Sequence, residues 1–233
     1  TIPSPSKGMK VEFNRVDYSY IEGNQIFKNL NLQFNPGEKI VITGDEGSGK
    51  STFIRLLSTI YSPDSGIILM NDLPVQNLNL DEVRNNIGLM FNRLDIFNGS
   101  ILENITLGNT EVDLKSVIHY SKKIGLDSFI HTKEQGFDTM IDSIGKRLPR
   151  TVIKKILFLR AIISKSPLII LEEPFSELEE NSIQHMRDII VEELPYSTVF
   201  VVTNDASLIA KCDQYLLLHH NEVHVTKPVK SNR

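Results

Sequence analysis

One run of residues carries most of the chemical information: Gly44-Asp45-Glu46-Gly47-Ser48-Gly49-Lys50-Ser51, followed by Thr52. It fits the pattern G-x-x-x-x-G-K-[ST] at every fixed position. Glycines let a loop wrap with its backbone N–H groups facing inward, which makes a nest for an anion. A helix starting at the end of such a loop adds partial positive charge behind it. Lys50 would then reach the β- and γ-phosphates of a nucleotide, and the Ser51 hydroxyl would take one Mg²⁺ position. This chemistry needs a strand before the loop and a helix after it. Lys39 to Thr43 is a short β-branched run that reads as a buried strand, and Thr52 to Leu57 has apolar residues at helical spacing. An ordinary Gly/Ser turn is the plain alternative, and the strand–loop–helix context favours nucleotide binding.

A phosphate loop also needs a carboxylate at the end of a neighbouring strand. Leu168-Ile169-Ile170-Leu171-Glu172-Glu173 supplies four apolar residues and then two acids. Glu172 would sit by the metal, and Glu173 could orient or deprotonate an attacking water. Strand ends are often acidic for solubility alone. The pairing with a phosphate loop in the same chain favours function.

Around these two motifs the chain alternates strands and helices. Val11, Phe13, Val16, Tyr18 and Tyr20 follow a period of two, Glu22-Gly23-Asn24 is a hairpin signal, and Ile26 to Phe34 is the next strand. An antiparallel β unit therefore precedes the phosphate loop. Ser62 to Gly66 reads as a turn, Ile67 to Met70 and Ile87 to Met90 as strands, and Asp81 to Asn86 as a short helix. Ser100 to Leu107, Asp113 to Gly125 and Asp127 to His131 make a mostly helical insert before a long apolar helix, Thr151 to Ser164. Glu179 to Glu193 is one amphipathic run, Ser197 to Thr203 a strand, and Ala206 to Lys211 a helix. A hairpin of Tyr215 to His219 and Glu222 to Val225 closes the order. Residues 1–9 read as a linker, 10–226 as one domain with a helical part at about 92–164, and 227–233 as a short basic tail.

The chain has 233 residues, 40% of them apolar and 23% charged, and a net charge of −4. This is enough chain to bury a substantial core. The acidic balance argues against non-specific nucleic-acid binding, which needs a basic face. A single cysteine, Cys212, excludes an internal disulfide and suits a reducing compartment. No apolar run reaches the roughly 18–20 residues of a membrane span. The chain begins with Thr, without a signal peptide, as a fragment or processed product would. The six histidines show no metal-ligand spacing, and Lys154-Lys155 is read as a solvated helix face.

From residue 10 to 225 the chain resembles the nucleotide-binding domain of an ABC transporter, and the exporter branch fits best. Val16-Asp17-Tyr18-Ser19-Tyr20 is similar to a strand ending in an adenine-stacking aromatic, which gives Tyr20 that role. Leu94 to Ile105 resembles the exporter segment after the Q-loop. Gly136 to Thr139 is similar to the stretch leading to the signature motif, and Leu159-Arg160-Ala161 matches the end of the signature helix. Glu173-Pro174 matches the close of the Walker B motif. The resemblance implies an α/β fold of the P-loop NTPase kind. It would have a mainly parallel core sheet, an N-terminal antiparallel β subdomain and a helical signature subdomain. It also implies ATP and Mg²⁺ as ligands, a head-to-tail dimer with a second nucleotide-binding domain, and a transmembrane domain as partner at the cytoplasmic face of a membrane.

Several family positions are altered. The signature falls on Leu148-Pro149-Arg150-Thr151-Val152, where Pro149 has neither hydroxyl nor N–H. Arg150 either pairs with a phosphate in a different geometry or the loop no longer touches nucleotide. The switch histidine falls on Asn204, which does not titrate near neutrality. The Q-loop glutamine falls on Asn92, one methylene shorter, and the Walker B aspartate on Glu172, one methylene longer. Asn92, Ser51 and Glu172 are the expected metal-side groups, and Glu173 and Lys50 the catalytic ones. Gly44 to Thr52, with Tyr20, Asn92 and Asn204, would hold the nucleotide. Losing transition-state contacts typically costs ~100- to 1,000-fold each, so hydrolysis is expected to be slow or dependent on a partner subunit. A silent nucleotide-holding half of a heteromeric transporter is the alternative, and a soluble ATPase acting on nucleic acid is a weaker one.

Overall fold

The structure is a computed structural model that describes residues 8–21, 23–142, 148–219 and 222–227. It is an α/β fold built on a six-stranded sheet. The strands are β3 (Lys39–Gly44), β6 (Ile87–Met90), β9 (Leu168–Glu172), β10 (Thr198–Val202), β11 (Gln214–His219) and β12 (Glu222–Thr226), in the order β12-β11-β3-β10-β9-β6. All neighbours pair in parallel except β11 and β12, which form the expected antiparallel hairpin. Every residue of β9 and β10 is buried, as parallel strands covered on both faces require.

A second sheet is antiparallel: β1 (Val11–Ser19), β2 (Gln25–Phe34), β4 (Ser65–Met70) and β5 (Leu73–Pro74), ordered β2-β1-β4-β5. The antiparallel unit is thus completed by residues beyond the phosphate loop. Ser65 and Gly66, expected in a turn, already belong to β4. Of the β1–β2 turn, Glu22 lies outside the described residues. Met9, expected at the end of a linker, is fully buried, and its N–H donates to Pro167 O and Thr198 Oγ1.

The two faces of the main sheet feed two cores. Ile40, Ile42, Ile170 and Phe200 pack with the antiparallel sheet and α1 (Lys50–Leu57), whereas Val41, Ile169, Leu171 and Val201 pack on the helical side. Beside the first core lies α2 (Leu80–Asn85), leading into β6. The helical side holds α3 (Ile101–Thr106), α4 (Leu114–Lys123), α5 (Asp127–Ile130), α6 (Arg150–Ile163) and α7 (Glu180–Asp188). A short pair, β7 (Gly99–Ser100) with β8 (Met140–Ile141), and α8 (Ala206–Lys211) complete the set. The expected single amphipathic run from Glu179 is α7 followed by a π-helical turn, Ile189–Glu193.

The segment from Leu94 to Ile105 is held by one buried amide. Asn104 Oδ1 accepts from Phe97 N–H and Arg160 Nη2, and its Nδ2 donates to Phe97 O and Ser100 O. Close packing fixes α6 against β6. A Cβ on Gly88 would lie 1.9 Å from Ala161 O, so only glycine fits there.

The solvated face expected for Lys154 and Lys155 is not observed: they are 2% and 5% exposed. Helix α6 packs on α3, α4, β6 and β9 and has almost no free face. The two side chains run through this packing until their ammonium groups meet polar atoms. Lys155 Nζ reaches Glu179 Oε1 at 2.5 Å and Gly125 O at 3.3 Å.

Lys39 is also buried, and its Nζ donates to Gly37 O, Leu194 O and Ser197 O at 2.7–2.9 Å. Burial pushes its ammonium down to about 8 from 10.5, opposed by the charge of Asp213. The folded state therefore holds this proton less tightly than the unfolded chain. Between about pH 8 and 10.5 the unfolded chain binds more of it, so this group's contribution to stability rises with pH. Urea titrations of the wild type and Lys39→Met should show the difference in unfolding free energy moving in the wild type's favour across that window. A pH-independent difference would contradict this assignment.

Candidate functional site

Parallel pairing brings the two motifs together. Val202 of β10 lies opposite both Ile42 of β3 and Glu172 of β9. The phosphate loop after β3 and the acidic pair closing β9 therefore meet at the carboxyl ends of the strands, where open α/β sheets bind ligands. A cleft of about 690 Å³ lies there, within the usual range for small-molecule sites.

The loop's shape depends on glycine at two points. Gly44 has φ 141° and a Cβ on it would sit 2.2 Å from Leu218 O, so β11 closes the loop from behind. Gly49 has φ 98° and is the N-cap of α1. The first N–H groups of α1 lack intrahelical partners. Lys50 Nζ donates to Gly44 O at 2.7 Å and Asp45 O at 2.6 Å, which holds the ammonium at the loop's centre.

Glu172 ties three elements together. Its Oε1 accepts from Ser51 Oγ at 2.7 Å, and its Oε2 accepts from the Asn92 N–H at 3.0 Å. It is 8% exposed, so these bonds are made largely out of water. The longer side chain, expected from the comparison of Glu with Asp, spans from β9 to α1 without a gap. Asn92 is exposed, with its side chain on the cleft. Asn204 borders the cleft as well, and its Oδ1 accepts from Thr43 Oγ1 at 2.5 Å.

Glu173 is half-buried beside Lys50 and Ser51. Its backbone is left-handed, φ 49°, and its N–H donates to Val202 O at 2.9 Å. Such a conformation at a non-glycine residue is sparsely populated and clusters at functional sites. Burial pushes its carboxyl up from the ordinary glutamate range; Lys50 and Lys154 oppose that, and Glu172 adds to it. A carboxylate whose affinity for a proton is raised is a better base than a solvated one.

Tyr20 stands at the rim, 47% exposed. Its hydroxyl shares a 2.6 Å hydrogen bond with Thr52 Oγ1, and its ring meets Tyr18 and Tyr61 edge-on at 5.5 and 5.9 Å. Gly47 and Glu46 complete the loop's contribution to the cleft. Two expected residues do not line it. Asp45 turns outward to His219, 3.2 Å from Nδ1. Ser48 lies beneath the loop, its Oγ buried without a hydrogen-bond partner. Both shape the loop through their backbones. None of residues 148–152 lines the cleft: Pro149 is the N-cap of α6 without a side-chain bond, and Arg150 Nε pairs with Glu177 Oε2 at 3.0 Å. Ser176, which opens the stretch Ser176-Glu177-Leu178-Glu179 that falls on the family's D-loop, borders the cleft, and so do two residues that the sequence reading gives no site role, Thr43 through Asn204 and Ile26 directly. Thr43 directly precedes the loop, which is a usable signal; Ile26 carries none. Among the described residues no group of three or more His, Cys, Asp or Glu could hold a metal by itself. Ser51 Oγ and Glu172 offer hard oxygen donors of the kind Mg²⁺ takes together with phosphate oxygens.

A glycine loop at a helix N-terminus, with a strand-end carboxylate on its serine, defines a P-loop nucleotide-binding domain. The ABC transporter family profile matches residues 27–176. An ATP-dependent lipid A-core flippase of Alcanivorax borkumensis is 30% identical over 214 residues, which cover 91% of this chain and 37% of the flippase. The β-(1→2)glucan export ATP-binding/permease protein NdvA of Agrobacterium vitis is 28% identical over 213 residues, 91% of this chain and 36% of its own. A bacterial Atm1-family ABC exporter solved with ATP bound has the same fold, at TM-score 0.86 and 23% identity. That match covers 97% of this chain and 40% of the exporter. This chain spans little more than a third of the length of these curated relatives. It belongs to the ABC transporter family, and the domain described here is the ATP-binding one.

Gly44→Ala should abolish retention of ATP and lower the melting temperature, because the added methyl group meets Leu218 O and φ 141° is strained for alanine. Calorimetric titration with ATP and a thermal melt check both effects. Wild-type affinity would show that β11 does not constrain the loop.

Proposed function

We propose that this chain is the ATP-binding half of an ABC exporter, and that it hydrolyses ATP slowly while driving a transmembrane domain. The observation that carries the reading is the meeting of Lys50, Ser51, Glu172 and Glu173 in one cleft. The backbone N–H groups of residues 44 to 52 would cradle the triphosphate, and Tyr20 would stack on the adenine. Ser51, with Glu172 and Asn92 behind it, would hold Mg²⁺, which when bound supplies positive charge to the phosphate oxygens. Lys50 would leave its loop carbonyls to neutralise the β- and γ-phosphates. Glu173 would accept a proton from water attacking the γ-phosphorus in line with the leaving ADP oxygen. Asn204, anchored by Thr43, would donate an amide hydrogen bond to the γ-phosphate but transfer no proton.

ATP would also join this domain to a second nucleotide-binding domain, of the same or another chain, as the exporter relatives suggest. Which cargo moves is decided by the transmembrane partner. The second reading is a nucleotide-holding half that leaves hydrolysis to a partner's site. Asn204 favours it, since an amide in this chain's own cleft cannot titrate where the family has a histidine. Pro149 and the Arg150–Glu177 pair weaken the other site of a dimer instead, offering a partner's nucleotide neither the serine hydroxyl nor the open glycine backbone.

Phosphate release at saturating MgATP, followed across protein concentrations, tests these readings. The expected result is a low rate per subunit that rises with concentration. Glu173→Gln should cut it at least about 100-fold with ATP still bound, and Lys50→Ala should weaken binding itself. Release at background for the wild type, with ATP binding that depends on Lys50, would favour the nucleotide-holding reading.

A further inference from the structure

We propose that Lys154 is a positioning residue that holds the turn from Glu173 to Ser176 from beneath the site. The inference rests on the reading of Glu173 as the base. The turn is unusual in its backbone: both Glu173 (φ 49°) and Glu177 (φ 67°) are left-handed without being glycine. Such residues keep that conformation only where their surroundings over-determine it. On the sheet side, the Glu173 N–H is held by Val202 O. On the helix side, the fixing group is Lys154. Its Nζ lies 3.3 Å from Glu173 O and donates a hydrogen bond to Ser176 Oγ. That hydroxyl in turn donates to Glu173 O at 3.1 Å. The ammonium, the hydroxyl and the carbonyl close a small ring over the turn.

The geometry makes this more than packing. Lys154 is 2% exposed, and a buried ammonium is costly unless its donors are used. Both of these acceptors belong to the turn that presents Glu173. Loss of the ammonium would release one donor to Glu173 O and one to Ser176 Oγ together, and Ser176 itself borders the cleft. The neighbouring Lys155 is an internal comparison. It is buried to a similar degree in the same helix, yet its bonds go to Glu179 and Gly125. A loss of protection at Glu173 that followed from damage to α6 would appear with either lysine. One that followed from the ring would appear with Lys154 alone.

The test compares the wild type with Lys154→Met, Lys154→Gln and Lys155→Met. It reads backbone hydrogen exchange, binding of a fluorescent ATP analogue and phosphate release. In Lys154→Met, the amides of 173 to 178 should exchange at least about tenfold faster, with β3 and β10 as protected as in the wild type. Nucleotide affinity should stay within about threefold while kcat falls at least about tenfold, since the turn acts on the base and the loop holds the ligand. Lys154→Gln, which keeps a donor, should fall between the two, and Lys155→Met should leave amides 173 to 178 as in the wild type. Unchanged exchange at 173 to 178 in Lys154→Met overturns the proposal, whatever the wild-type turnover. Protection lost evenly across the sheet in both Lys154 variants also overturns it, because the residue would then be purely structural. Faster local exchange in Lys154→Met than in the wild type, with no phosphate released by either, supports the positioning role and counts only against the hydrolytic reading.

Discussion

The register of β10 is the constraint on which the rest depends. This strand has β3 on one side and β9 on the other, and both neighbours are parallel to it. A slip of one residue against either would turn every side chain to the opposite face. Glu172 would leave Ser51, and Glu173 would lose Val202 O. The register is well specified because both faces of β10 are buried and their residues differ in size. Phe200 fits among the aromatic rings of Phe34 and Phe53, while Val199 and Val201 fit the helical side. Core packing thus sets the position of the carboxylates to within a fraction of a residue. No loop in the site does this alone.

On that frame, the site balances opposing charges. The phosphate loop carries two acids of its own, Asp45 and Glu46, next to where an anion would bind. At about 4 Å in water a like charge costs only about 1 kcal/mol, and both side chains are exposed. The pairing of Asp45 with His219 moves one of them further away. Oriented N–H groups and Lys50 in the partly buried cleft act at lower dielectric, so they outweigh the surface acids. The same comparison explains Glu172. Inside the fold its two oxygens are both satisfied, and it serves as a joint between β9, α1 and the start of the helical segment.

Much of this was readable from residue order. The phosphate loop, the β-branched strand before it and the apolar strand ending in two acids each have a local pattern, and each lies where that pattern puts it. The resemblance carried by Leu94 to Ile105 has a physical basis in Asn104, whose amide needs the carbonyls that this segment alone supplies. Other features were hidden because they depend on contacts far along the chain. Lys154 and Lys155 look solvated on a helical wheel, and nothing local reveals that α6 is covered on nearly every side. Asp45 reads as part of a ligand-facing loop, and only the arrival of β11, more than 160 residues later, shows its side chain facing away. The break of α7 into a π-helical turn at Ile189 has no marker in its amphipathic pattern. Ser65 sits in β4 because β1 offers it Asp17 as a partner, and Gly66 lies at the register shift between that pair and Asn14–Ile67, although their composition is that of a turn.

The closure of the loop by Leu218 has a consequence for how this domain comes into being. During synthesis the phosphate loop emerges well before the strand that closes it, which lies about 170 residues further on. At ordinary elongation rates of about 5–20 residues per second, the loop waits on the order of ten seconds for β11. Over that interval β3 lacks both of its sheet neighbours, β10 and β11, and the glycine loop has no rigid wall behind it. ATP in the cell therefore cannot hold the early intermediate together, since the nest that would grip it is not yet shaped. Within the nascent domain the antiparallel sheet, complete by Pro74, is the one sheet whose strands have all emerged by then.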